Sequence, residues 1–137
     1  MDTSCLHSIV VAPSFLERMH EHARNAAPQE CCGVLGGRGS VVTSVYPLTN
    51  DLHSCSEYFA NPQEFFNAVR SMREKNEEMI GIYHSHPTGP AEPSKMDAER
   101  NFYPGLFYLI ISLADEATRS LCYVMESDKT FHSVPIV

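Results

Sequence analysis

Gly81-Ile82-Tyr83-His84-Ser85-His86-Pro87-Thr88-Gly89-Pro90-Ala91-Glu92-Pro93-Ser94-Lys95-Met96-Asp97 changes character three times. Met79–Tyr83 reads as a short apolar strand. His84–Pro93, with three prolines and one glycine, reads as a loop. Ser94–Arg100 reads as a short helix. If the backbone stays extended through His84 and His86, their side chains point to one side, because residues two apart on a strand share a face. Both imidazoles then reach one ion. His20 and His22 have the same spacing inside a predicted helix, where residues two apart do not face each other. That pair is rejected as a single-ion site.

Asp97 is a plausible third ligand, three residues after Ser94 in the first turn of the short helix. The proline-rich loop can fold that turn back towards the histidines. Two imidazoles and a carboxylate leave the fourth position of Zn²⁺ open for water, the arrangement of a catalytic ion. Each half of the pattern has a plainer explanation. Ser94-x-x-Asp97 is also a helix capping box, and two nearby histidines occur by chance. The joint pattern is the more specific one, and capping and metal binding are compatible.

Working outward, Pro13-Ser14 opens a helix in which Phe15, Leu16, Met19 and Ala23 recur at helical spacing. Ala26-Ala27-Pro28 closes it, since the residue before proline avoids helical backbone. Val34-Leu35, a glycine-bearing turn at 36–40 and Val41–Tyr46 read as strand, turn and strand. Asn61-Pro62-Gln63-Glu64 starts a second helix, with asparagine at the cap and proline at the first helical position, running to about Asn76. Leu106–Leu113, Leu121–Met125 and Phe131–Val137 read as closing strands. The order predicts an α+β fold with helices packed on a curved sheet, and residues 1–137 as one domain.

Composition narrows the function. The chain carries 10 Lys+Arg against 17 Asp+Glu, a formal charge of −7. A phosphate-backbone binder needs a basic surface, so a nucleic-acid partner is disfavoured. The five cysteines are odd in number and show no repeated C-x-x-C spacing, which argues against a disulfide framework or a four-cysteine zinc knuckle. Residues 1–8 do not read as a signal peptide. No apolar run approaches the roughly 20 residues of a membrane span. A cytoplasmic protein with no membrane partner is expected.

Water activation needs a base. Glu30, in Pro28-Gln29-Glu30-Cys31-Cys32-Gly33-Val34-Leu35-Gly36, stands between the first helix and the first strand. By spacing alone Glu57, Glu64 and Glu92 compete with it, and a solvated loop acid is the plain reading.

These elements together resemble the JAMM (MPN+) zinc metallopeptidases, of the small prokaryotic type. That pattern is an upstream glutamate, then His-(Ser/Thr)-His-Pro, then seven residues from the second histidine to Ser-x-x-Asp. Here it is Glu30, His84-Ser85-His86-Pro87, residues 87–93 and Ser94-Lys95-Met96-Asp97. Pro28-x-Glu30-x-Cys32-Gly33-x-Leu35-x-Gly37 and the run from Phe59 to Glu64 into a helix also fit.

The resemblance implies a curved, partly closed mixed sheet flanked by helices, similar to the cytidine-deaminase architecture. It implies one catalytic Zn²⁺ on His84, His86 and Asp97. Glu30 would move a proton from the metal-bound water to the leaving amine, and Ser94 would hydrogen-bond the tetrahedral oxyanion. It also implies a substrate. Eukaryotic isopeptidases of the family carry insertions that clamp two ubiquitins, for which 137 residues leave little room. The minimal type is associated with ubiquitin-like sulfur-carrier proteins ending in Gly-Gly, so hydrolysis of an amide bond after that glycine is expected. An ordinary small peptide is the other candidate substrate.

Other readings are a non-catalytic scaffold of the same fold and a RadC-type DNA-related protein, whose His-x-His-Pro-x-Gly resembles His84–Gly89. The scaffold reading conflicts with the full set of ligands, and the DNA-related one with the acidic charge. A nucleobase deaminase would need H-x-E and P-C-x-x-C, and neither occurs. Cys32 is expected to pack in the core, with Cys31 either oxidisable or near the site. His53 and Cys55 could meet at a chance metal site. Tyr46, Tyr58 and Phe59 are candidates for lining a groove.

Overall fold

The computed structural model describes residues 8–100, 104–114 and 119–137. The polar start of the chain, with Cys5, lies outside them. Helix α1 spans Pro13–Ala26 and ends where the backbone turns extended at Ala27, before a cis Ala27-Pro28 bond. Strands β1 (Cys32–Arg38) and β2 (Val41–Leu48) form a hairpin. Helix α2 (Pro62–Glu74) is capped as its sequence predicts, Asn61 Oδ1 accepting from the Glu64 amide at 3.0 Å. Strand β3 (Glu78–His86), helix α3 (Lys95–Arg100) and strands β4 (Phe107–Ser112), β5 (Ser120–Met125) and β6 (Phe131–Val134) follow.

Several expected boundaries move; the last strand, for one, ends at Val134 and not at Val137. The glycine-bearing turn is shorter, because Gly36 and Gly37 stay in β1 at a register shift, and only Gly39, at φ +59°, has the left-handed backbone of a turn. Strand β3 is longer than Met79–Tyr83, because pairing with β1 carries it to His84 and pairing with β4 carries it on to His86. His84 stands opposite Cys32 of β1 and Ile110 of β4.

The sheet order is β2-β1-β3-β4-β5-β6, with β3 and β4 parallel and the other neighbours antiparallel. The ladder is mixed and does not close. Residues 9–11 lie between its two edges: Ile9 bridges to Ile136 and Val10 to Val41. Each face of the sheet carries a helix. Met19 and Ala23 of α1 join Leu35, Tyr83, Leu109 and Ile111 in one apolar cluster. Ala68 and Met72 of α2 join Val34, Ile82, Tyr108 and Ile110 in the other. With both faces covered, β4 is buried along its whole length, which explains its unbroken apolar sequence. Truncating a fully buried side chain such as Met72 costs about 2–5 kcal/mol. Among the described residues, no helix is long and apolar enough to cross a membrane.

Candidate active site

The site forms at the end of β3. Pairing holds His84 and His86 extended, so both rings point to the face that carries α2, with their Nε2 atoms 3.0 Å apart. His84 is fully buried and stacks under Tyr58, ring centroids 4.9 Å apart and planes at 27°. Tyr108 lies beside it at 5.2 Å, its hydroxyl 3.4 Å from that of Tyr58.

Three hydrogen bonds pin the proline-rich loop after His86 onto the sheet. Ser112 Oγ donates to the Gly89 carbonyl at 2.6 Å, and the Tyr123 hydroxyl to the Ala91 carbonyl at 2.7 Å. The third is His86 Nδ1 to the Pro90 carbonyl at 2.8 Å. A carbonyl only accepts, so this Nδ1 carries the proton and neutral His86 presents the Nε2 lone pair inward.

So anchored, the loop returns Asp97 to the histidines. Asp97 Oδ1 lies 3.1 Å from His84 Nε2, and Oδ2 lies 3.1 Å from His86 Nε2. Asp97 is held by a reciprocal cap: the Ser94 amide donates to Oδ2 at 2.8 Å, and the Asp97 amide donates to Ser94 Oγ at 3.0 Å. Capping and convergence therefore coexist. One ligand atom from each of His84, His86 and Asp97 lies within 4.8 Å of the others, so the three can hold a metal ion. The donor set itself fits one. Unprotonated Nε2 atoms and carboxylate oxygens at these separations repel unless a proton or a cation lies between them.

Protonation favours the ligand form at His84 and Asp97 and works against it at His86. Burial holds the His84 ring below its ordinary pKa, so it is neutral. Burial also pulls His86 down, but hydrogen bonding to Asp97 and to the Pro90 carbonyl outweighs it, and the net shift is upward. Burial opposes ionisation of Asp97, yet hydrogen bonding to His84 and His86 holds its carboxyl well below the usual range.

Glu30 sits in the irregular segment before β1 and is 5% exposed. Its amide donates to the Ser54 carbonyl at 2.8 Å, and its carbonyl accepts from Asn50 Nδ2 at 3.1 Å. Its Oε1 is buried without a hydrogen-bond partner. Burial raises its pKa to about 7, with the His86 ring lowering it and the Asp97 and Glu57 carboxylates raising it. Its neighbour Cys31 is hydrogen-bonded to Ser85, between the two histidines, and a pKa near 7 suits a group that takes and returns a proton near neutrality. Two rival carboxylates are accounted for otherwise. Glu64 binds the Thr49 amide and hydroxyl at 2.6 and 2.9 Å, and Glu92 is exposed.

Several lesser expectations resolve. Cys32 packs in the core. Cys31 is also buried rather than exposed, and burial pushes its thiol up to about 11, so it is not an oxidisable surface group. His22 bonds the Tyr83 hydroxyl at 2.8 Å. Tyr46 bonds Glu77 at 2.7 Å and Phe59 is exposed, so of the three aromatic candidates Tyr58 alone stacks on a site residue. His53 and Cys55 belong to no ligand group among the described residues. Sequence reasoning missed Asn50, Ser112 and Tyr123, which bind backbone and carry no recognisable spacing, and gave Ser85 no role although it stands in the His-(Ser/Thr)-His-Pro pattern.

The family model described as prokaryotic homologs of the JAB domain matches residues 12–123. This chain belongs to the prokaryotic JAB family. The desampylase of Haloferax volcanii is 34% identical over 102 residues, 72% of this JAB-domain chain and 73% of that protein. The CysO-cysteine peptidase of Mycobacterium tuberculosis is 32% identical over 112 residues, 80% of this chain and 77% of that one. The solved structure of protein DSY2949 from Desulfitobacterium hafniense superposes with a TM-score of 0.85 at 39% identity, covering 94% of this chain and 91% of that one. With these relatives, the JAB-domain chain is an enzyme, a JAMM-type hydrolase.

Proposed function

We propose that this chain is a zinc-dependent peptidase that hydrolyses the amide bond after the C-terminal glycine of a small ubiquitin-like sulfur-carrier protein, with residues 1–137 as one domain. The observation that carries this reading is the convergence of His84, His86 and Asp97 on one point, with the buried carboxylate of Glu30 coupled to them. The relatives named as desampylase and CysO-cysteine peptidase support the substrate class.

His84, His86 and Asp97 would hold the zinc, which supplies a water nucleophile near neutral pH and polarises the scissile carbonyl. The other steps belong to side chains. Glu30, as carboxylate, takes a proton from the attacking water and delivers it to the leaving nitrogen. The carbonyl carbon gains the hydroxyl, the C–N bond breaks and the amine departs, one water being consumed. Ser94 Oγ accepts from the Asp97 amide through a lone pair, which leaves its O–H to donate to the developing oxyanion. The pinned loop keeps Ser94 and Asp97 together, so donor and ligand are aligned before substrate arrives.

The test is mass spectrometry of zinc-loaded protein mixed with sulfur carriers bearing a C-terminal extension. Release of the extension after the terminal glycine is expected. Absence of cleavage on several carriers across roughly pH 6 to 9, a range that spans the pKa of Glu30, overturns the reading.

A further inference from the structure

A cavity of about 430 Å³ opens beside Glu30. Its walls include His22 and Asn25 of α1, Gln29 and Glu30 of the turn before β1, Thr49 after β2, and Glu64 of α2. None of His84, His86 or Asp97 lines it. The ligands come from β3 and from the loop tied to β4 and β5, whereas the cavity lies over the β1–β2 end of the sheet. Glu30 lines the cavity, and its chain neighbour Cys31 is hydrogen-bonded in both directions to Ser85, between the two ligand histidines.

That position has a chemical consequence. The proton that Glu30 carries goes to the leaving nitrogen, which must come within hydrogen-bond reach, about 2.6–3.2 Å, of the carboxyl. The residue bearing that nitrogen then has the cavity in front of it. The volume suits a residue or two, being at the lower end of ordinary ligand pockets. The wall carries the carboxylates of Glu30 and Glu64, the imidazoles of His22 and His53 and the uncharged amides of Asn25 and Gln29, and no lysine or arginine among the described residues.

We propose that this cavity is the subsite for the leaving side of the scissile bond, accepting an uncharged or cationic residue and rejecting an acidic one. The proposal rests on the reading of Glu30 as proton carrier. An acidic side chain here would lie close to the carboxylates of Glu30 and Glu64, with no lysine or arginine on the wall to offset them.

The test uses a sulfur carrier ending in Gly-Gly-X, with X as its C-terminal amide so that the terminus adds no charge. Serine, lysine and aspartate at X are compared by kcat/KM with zinc-loaded protein. Serine and lysine are expected within roughly threefold of each other and aspartate about tenfold or more lower. Asn25→Lys, a rim substitution in an exposed helix position, should close most of the aspartate gap. Gln63→Lys makes the same change of net charge outside the cavity and should leave the gap in place. Equal cleavage of serine and aspartate overturns the subsite, as does closure of the gap by Gln63→Lys. If no member of the panel is cut, the peptidase reading itself fails, a result distinct from cleavage without discrimination.

Discussion

Ser85 Oγ accepts the amide proton of Cys31 at 2.8 Å, and the Ser85 amide donates in return to the Cys31 carbonyl at 3.1 Å. Ser85 is fully buried, between two histidines whose rings share the opposite face of the strand. The strand that presents the ligands thus also holds the residue next to Glu30. Ser85→Ala leaves a buried N–H unpaired, at a cost of about 1–3 kcal/mol. The expected outcome is a lower urea midpoint and a fall in kcat larger than any fall in zinc content, with Ser85→Thr recovering most of both. Unchanged kcat in a folded Ser85→Ala protein would remove this link.

Zinc content should depend on each ligand. His84→Ala and Asp97→Asn are expected to weaken binding by more than the roughly 10–100-fold that loss of a supporting residue costs. Affinity should also fall as pH drops through the upward-shifted pKa of His86, because a protonated ring offers no lone pair. Elemental analysis after dialysis against a competing chelator at two pH values measures both effects.

Tyr58 stacks on His84 and fixes the ring plane through packing, not through its hydroxyl. Tyr58→Phe should leave zinc affinity within about twofold, whereas Tyr58→Leu should lower it roughly tenfold. Competition with a chromogenic chelator separates the two variants.

Glu30 is held at a cost. Its native pKa of about 7 stands above the ordinary 4.5, so between those values the unfolded chain has released a proton that the folded chain keeps. The stability tied to this group is therefore complete below pH 4.5 and is lost as pH rises through 7. Glu30→Gln removes the penalty. In metal-free protein it should raise the melting temperature at pH 8 by a few degrees, about 1 kcal/mol after allowing for solvent screening, and change it little near pH 4.5. Thermal melts at both pH values check the sign. The same variant should lose nearly all peptidase activity.

Gly33 packs against the ring of Tyr83, whose hydroxyl reaches His22. A methyl group at Gly33 would run into that buried ring. Gly33→Ala is expected to destabilise by about 1–3 kcal/mol, read as a shift in denaturation midpoint without a change of slope.

Local signals in the sequence carry much of this architecture. Asn61-Pro62-Gln63-Glu64 caps α2 because its groups act within one turn, and Ser94-x-x-Asp97 does the same for α3. The spacing of His84 and His86 is legible because a strand's alternation follows from backbone geometry alone. Gly36 and Gly37 misled the reading of the turn, since a glycine pair looks alike in a loop and in a bulged strand.

What the sequence by itself determined is therefore the set of elements, the facing histidines and the capped aspartate, all products of forces acting over a few residues. Only the tertiary structure decided which carboxylate of several is buried beside them, and how the proline-rich loop turns back. Those outcomes depend on Asn50, Ser85, Ser112 and Tyr123 reaching backbone 20, 54, 23 and 32 residues away. A hydrogen bond of that span has no sequence period. It forms because packing against both faces of the sheet brings the donor and acceptor together and removes the water that would otherwise satisfy them.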